Sequence, residues 1–151
     1  MNTQKSNFQK HKGGITVITG IGHVALKVED MEKSLQFYCD VLGFERAFEI
    51  RDDDNNPCIE YIKVVPGQFI ELFYGGKNKP EKVPDAIGHD HLCLVVDDIN
   101  QTANHLKEKG ITLVVEPTQG KDTNYQCWAK DPDGNRIEFM QMMPSSPQAH
   151  S

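Results

Sequence analysis

The chain has 151 residues, 38% of them hydrophobic, and a net charge of −6 from 16 Lys and Arg against 22 Asp and Glu. That length suits one globular domain with a core of its own. The scattered basic residues argue against a nucleic-acid partner, and no apolar run approaches the roughly 20 residues of a membrane span.

The N-terminal MNTQKSNFQKHKGG lacks a hydrophobic signal core, so a cytoplasmic location is expected. Cys39, Cys58, Cys93 and Cys127 form no C-x-x-C pair and read as reduced, mostly buried thiols.

Residues 1–15 read as a flexible tail and residues 16–142 as one domain. Alternation over 21–28 predicts a strand. Asp30 is an N-cap for a helix carrying Met31, Leu35, Tyr38 and Leu42 on one stripe and ending at Gly43. Extended segments follow at 44–51, 58–65 and 68–74, with DDDNNP turning between the first two. The run GGKNKPEKVPDAIG, residues 75–88, reads as a linker. A second set then repeats the order: a strand over 91–96, a helix capped by Asp98 and stopped by Gly110, and strands over 111–116, 124–130 and 135–142. Asp131, Pro132, Asp133 and Gly134 form the last turn. Residues 143–151 read as a flexible Pro/Ser tail. The chain is therefore α+β, a βαβββ unit made twice, over 16–74 and 89–142.

The two units share sequence as well as order. GHVALKVEDMEKS from Gly22 lies over HLCLVVDDINQT with His23 on His91 and Asp30 on Asp98. Further along, Gly43 falls on Gly110 and PGQFIELF on DGNRIEFM, with the spacing shorter by one residue. A period this long indicates two copies of one supersecondary unit.

Strand geometry decides which way the repeated residues point. Val24, Leu26 and Val28 face the helix, leaving His23, Ala25 and Lys27 on the other side; Leu92, Leu94 and Val96 leave His91 and Cys93 there. Ile70 and Leu72 leave Glu71 and Phe73 opposite, as Ile137 and Phe139 leave Glu138 and Met140. His23, Glu71, His91 and Glu138 thus share the helix-free faces, which a pseudo-twofold can bring to one point. His89 competes with His91, but the repeat register selects His91; His11, His105 and His150 receive no role.

Two imidazoles and two carboxylates form a ligand set for zinc, nickel, cobalt, manganese or ferrous iron. A structural zinc site would be rich in cysteine and closed; this set contains none and leaves positions for substrate.

The run from His23 to Phe44 and DPDGNRIEF from Asp131 resemble the vicinal oxygen chelate superfamily over residues 18–142, whose members include glyoxalase I, methylmalonyl-CoA epimerase, extradiol dioxygenases and bleomycin-binding proteins. The resemblance implies a curved, incompletely closed sheet barrel. The ligand order His, Glu, His, Glu is similar to glyoxalase I, which isomerises the hemithioacetal of methylglyoxal and glutathione through an enediolate.

That resemblance implies one divalent ion per site (nickel, zinc or cobalt, with manganese or iron as alternatives), glutathione as co-substrate, Glu138 as principal base with Glu71 as its counterpart, and a homodimer. Lys27, Phe69, Phe73 and Met140 are the expected substrate contacts. Lys27 and Gly75 stand where glyoxalase I has an arginine and an asparagine for glutathione. Epimerase-like or dioxygenase-like chemistry, or non-catalytic binding of a drug or metabolite, is the alternative.

Overall fold

A computed structural model describes residues 18, 20–78 and 87–151. Each half builds one four-stranded mixed sheet. In the first, β1 (His23–Lys27), β2 (Glu45–Arg51), β3 (Pro57–Val65) and β4 (Gln68–Phe73) lie in the order β1-β4-β3-β2; in the second, β5 (His91–Val95), β6 (Val115–Gln119), β7 (Tyr125–Lys130) and β8 (Arg136–Gln141) lie in the order β5-β8-β7-β6. The first and last strands of each unit pair in parallel, and the others are antiparallel. Neither sheet closes into a barrel. Residues 1–17 and 79–86, the expected N-terminal tail and most of the expected linker, lie outside the described residues.

The helices start as their caps dictate. Asp30 accepts from the Lys33 amide at the head of α1 (Met31–Leu35), and Asp98 accepts from the Asn100 and Gln101 amides at the head of α2 (Ile99–Glu108). Ser34 and Thr102 each return a hydroxyl to the carbonyl of their capping aspartate.

Beyond that first turn the two helices differ. α2 runs regularly to Lys109, whereas the first helix continues from Gln36 to Val41 as a π-helix, with Leu42 N bonded to Phe37 O and Phe44 N to Tyr38 O. A π-turn takes up an extra residue without a break in the helix. The extra residue of the first unit therefore lies between Ser34 and Gly43, which explains the shift in repeat spacing. Gly43 and Gly110 then end the two helices at φ values of 77° and 80°, a left-handed conformation suited to glycine.

One core serves both halves. Val28, Phe37, Tyr38, Ile62, Ile70 and Leu72 join Ile99, Leu106, Ile137 and Phe139 in a single buried cluster. Polar bonds also cross between the halves: Tyr38 donates its hydroxyl to Asp131 Oδ2 at 2.9 Å, the Glu29 amide donates to Asp133 Oδ1 at 3.2 Å, and His105 Nε2 donates to the Val41 carbonyl at 2.8 Å. The π-segment thus carries both Tyr38 and Val41 into these contacts.

Two expectations need correction. Of the four thiols expected to be mostly buried only Cys127 is buried, while Cys39 and Cys58 are partly covered and Cys93 is exposed. The strand predicted over 111–116 forms at Val115–Gln119, because Ile111 and Leu113 pack against the core and the ladder with β7 is interrupted between Val115 and Thr118, where Pro117 offers no amide. Within the C-terminal segment, Pro147–His150 forms a 3-10 turn, with a fully buried Ser146 accepting from the Ala149 amide. Among the described residues no helix is long and apolar enough to cross a membrane.

Candidate metal centre

The parallel pairing of β1 with β4 puts Ala25 beside Glu71, and His23 two residues away reaches across so that its Nε2 lies 3.3 Å from Glu71 Oε2. The pairing of β5 with β8 repeats this: Cys93 is beside Glu138, and His91 Nε2 lies 3.1 Å from Glu138 Oε2. With metal–ligand bonds of about 2.1 Å, two adjacent donors on one ion stand roughly 3.0–3.4 Å apart. Both pairs fit that spacing, and both are nitrogen–oxygen sets for a borderline or hard divalent ion.

The glutamates are well covered and the histidines are open. Glu71 is 5% exposed, whereas the His23 side chain is 47% exposed.

An aromatic residue on the third strand of each unit faces each glutamate. Tyr61 is the β3 partner of Glu71, and the influence of that carboxylate, with burial adding to it, raises the Tyr61 pKa. Its ring stacks on Phe48 at 4.3 Å and meets Phe69 edge-on at 6.1 Å. Trp128 is the β7 partner of Glu138, with its ring 4.7 Å from His91. Spacing could have identified both aromatics, since Tyr61 and Trp128 are as far apart in the chain as Glu71 and Glu138.

The second half carries a further layer. His91 Nδ1 donates to Asp90 Oδ2 at 2.7 Å, and Arg136 Nη1 donates to both Asp90 oxygens at 3.0 and 2.9 Å. The His91 bond, followed by the Arg136 charge, holds the Asp90 carboxyl below its ordinary range. Cys93, beside Glu138, has its thiol pKa pushed up to about 12, first by burial and then by the Glu138 charge.

Within one chain the four expected ligands form two separate pairs: among the described residues no group of three or more His, Cys, Asp or Glu side chains is placed to hold an ion. A cleft of ≈ 340 Å³ between the halves has His23 and Phe69 on one wall and Cys93 on the other. A larger groove of ≈ 850 Å³ lies along α2 and contains neither pair. Of the other expected contacts, Lys27 is exposed at the end of β1 opposite Phe73, and Phe69 belongs to the aromatic cluster. Met140 is 4% exposed, its sulfur accepting from Asn124 Nδ2 at 3.4 Å.

Known proteins are similar to this chain in sequence and fold. The profile of the Glyoxalase/Bleomycin resistance protein/Dioxygenase superfamily matches residues 20–139. A probable lactoylglutathione lyase from Synechocystis is 33% identical over 124 residues, covering 79% of this chain and 92% of the relative. The lactoylglutathione lyase of Haemophilus influenzae is 30% identical over 125 residues, covering 79% of this chain and 90% of the relative. Among solved structures, a glyoxalase family protein from Enterococcus faecalis superposes with a TM-score of 0.71 at 25% identity, over 83% of this chain and 100% of that one. With its twin βαβββ units, its paired histidines and glutamates and the match across most of its length, the chain belongs to the glyoxalase/bleomycin resistance protein/dioxygenase superfamily.

Proposed function

We propose that the protein is a metal-dependent, glyoxalase I-like lyase, acting in the cytoplasm on the hemithioacetal of methylglyoxal and glutathione or a close analogue. The observation that carries this reading is the pair of equivalent His–Glu contacts, His23 with Glu71 and His91 with Glu138, at 3.3 and 3.1 Å. The relatives named lactoylglutathione lyase support it.

A divalent ion held by these four residues, nickel, zinc or cobalt in the first instance, would supply Lewis-acid polarisation of two neighbouring substrate oxygens. Glu138 takes the carbon-bound proton and returns it to the adjacent carbon, with Glu71 as its counterpart on the opposite side. Tyr61 packs beside Glu71 as its cross-strand neighbour. Phe48, Tyr61 and Phe69 offer the substrate an apolar wall and keep water from the reacting carbons. Lys27 meets a glutathione carboxylate as a point charge.

The separation of the two pairs within one chain favours a homodimer in which the first-half pair of one copy faces the second-half pair of the other. Four ligands then converge at each of two sites, with one ion per chain.

The deciding experiment reconstitutes purified protein separately with nickel, cobalt and zinc, adds methylglyoxal and glutathione, and follows thioester formation by ultraviolet absorbance. Activity with at least one ion is expected, and Glu138→Gln at saturating metal should lower turnover by at least about a hundredfold. Absence of thioester with every ion, together with epimerisation of methylmalonyl-CoA or iron-dependent opening of a catechol, would replace the glyoxalase reading with one of those activities.

A further inference from the structure

The two His–Glu pairs match in geometry but differ in what stands behind the histidine. Behind His91, three further side chains close a ring with it. His91 Nδ1 donates to Asp90 at 2.7 Å, both Asp90 oxygens are held by Arg136, the Arg136 guanidinium lies over Trp128 at 4.5 Å, and the Trp128 ring returns to His91 at 4.7 Å. In the first half Gly22 stands at the position of Asp90 and Phe69 at that of Arg136. The register agrees: Phe69 is the β4 partner of His23 as Arg136 is the β8 partner of His91. Neither Gly22 nor Phe69 has a side-chain group that can hold an imidazole nitrogen.

This difference matters for a metal ligand. A neutral imidazole carries one proton on its two nitrogens, and it can donate a lone pair from Nε2 only when that proton is on Nδ1. A carboxylate on Nδ1 fixes the tautomer, locks the ring orientation and raises the basicity of Nε2. His91 has such a carboxylate, aimed so that Nε2 faces Glu138, and Arg136 keeps the carboxylate in place. His23 has to find its tautomer and rotamer when the ion arrives.

The geometry points to Asp90, held by Arg136, as the positioning residue that presets His91 for metal binding, so that the second half is the preorganised half of the site and the first half completes it. This rests on the metal reading proposed above. Asp90 touches neither ion nor substrate in this scheme; it acts through His91.

Two measurements on unsubstituted protein, Asp90→Asn and Asp90→Ala test it. The first is the histidine tautomer in metal-free, ¹⁵N-histidine-labelled protein, read by two-bond proton–nitrogen correlation at a pH where imidazole is neutral and assigned with His91→Ala. The second is zinc affinity by competition with a chromophoric chelator. His91 should carry its proton on Nδ1 in the unsubstituted protein and in Asp90→Asn, whose amide oxygen still accepts, and on Nε2 in Asp90→Ala. Zinc affinity should fall in the same order, by about ten- to a hundredfold for Asp90→Ala.

Asp90 is two-thirds exposed, at 66%, so both variants should fold, and Asp90→Asn serves if Asp90→Ala does not. An unchanged tautomer in Asp90→Ala, whatever happens to affinity, overturns the positioning role, as does a changed tautomer with affinity within about twofold. If the unsubstituted protein binds no zinc, nickel or cobalt, the metal reading itself falls, a result visible before any substitution is made.

Discussion

Tyr61 faces Glu71 across the β3–β4 ladder as Trp128 faces Glu138 across the β7–β8 ladder, so each candidate ligand pair has an aromatic ring at its side. The two rings divide the work differently. Tyr61 stacks on Phe48 and meets Phe69 edge-on, whereas Trp128 packs its face under Arg136 and sits beside His91.

Trp128 is the single tryptophan of the chain, which makes it a reporter for its half of the site. Nickel or cobalt bound at His91 should quench its fluorescence, with a titration that saturates at one ion per chain. His91→Ala should abolish the high-affinity phase. Emission that does not respond to either ion in the unsubstituted protein would count against metal binding at His91.

Dimerisation with shared sites makes a prediction that a self-contained site does not. His23→Ala and His91→Ala homodimers should each be inactive, because every site loses a ligand. Mixed dimers of the two variants place both lesions in one site and leave the other intact. Unfolding and refolding the two proteins together should therefore restore a measurable fraction of activity, up to half in each mixed dimer. Failure to recover activity despite mixed dimers detected by mass would favour ligands drawn from one chain.

Glutathione selectivity should be adjustable at Lys27 and Gly75. The backbone at Gly75 has a φ of 81°, a region that asparagine tolerates better than most residues, and a Cβ there meets nothing within 4 Å. The double variant Lys27→Arg, Gly75→Asn should fold and lower KM for the glutathione hemithioacetal more than it raises kcat. These contacts lie away from the proton in flight and bind ground and transition states alike. A change confined to kcat would place them nearer the chemistry.

Tyr38→Phe removes one buried hydrogen bond between the halves and should cost about 1 kcal/mol, read as a lower midpoint in urea. Asp131→Ala should cost more. Besides accepting from Tyr38, Asp131 accepts from the Asn135 amide and side chain, so its loss also undoes the β7–β8 turn. Equal stability of Tyr38→Phe and the unsubstituted protein would mean that the contact contributes nothing net.

The repeat and the strand period made much of the fold legible in the sequence. Alternation set His23 and His91 on one side and the core residues on the other, and the ladders agree, with Val24 beside Ile70 and Leu92 beside Ile137. The paired contacts of His23 with Glu71 and His91 with Glu138 follow from that register. Asp90 stands just before β5, where the strand period assigns no face, so its contact with His91 is not encoded in the alternation. The role of Arg136 depends on a cross-strand neighbour that no local spacing encodes. Tyr61 and Trp128 recur at the repeat spacing, which marks them as equivalent, but their approach to the glutamates is set by the hairpin register of a third strand. The π-segment was invisible because Met31, Leu35, Tyr38 and Leu42 also satisfy an α-helical stripe.

That segment has a consequence for how duplicated halves can diverge. An added residue in a strand would flip every side chain beyond it to the opposite face, and His23 and Glu71 would no longer meet. In a regular helix it would turn the downstream part by about 100°. Absorbed as a widened turn between Gln36 and Val41, the insertion leaves β1 and β4 in the same mutual register as β5 and β8, while Tyr38 crosses to Asp131. The extra residue sits in a helix and leaves the strands that carry the two His–Glu pairs alike, and the segment that absorbs it fastens the two halves together.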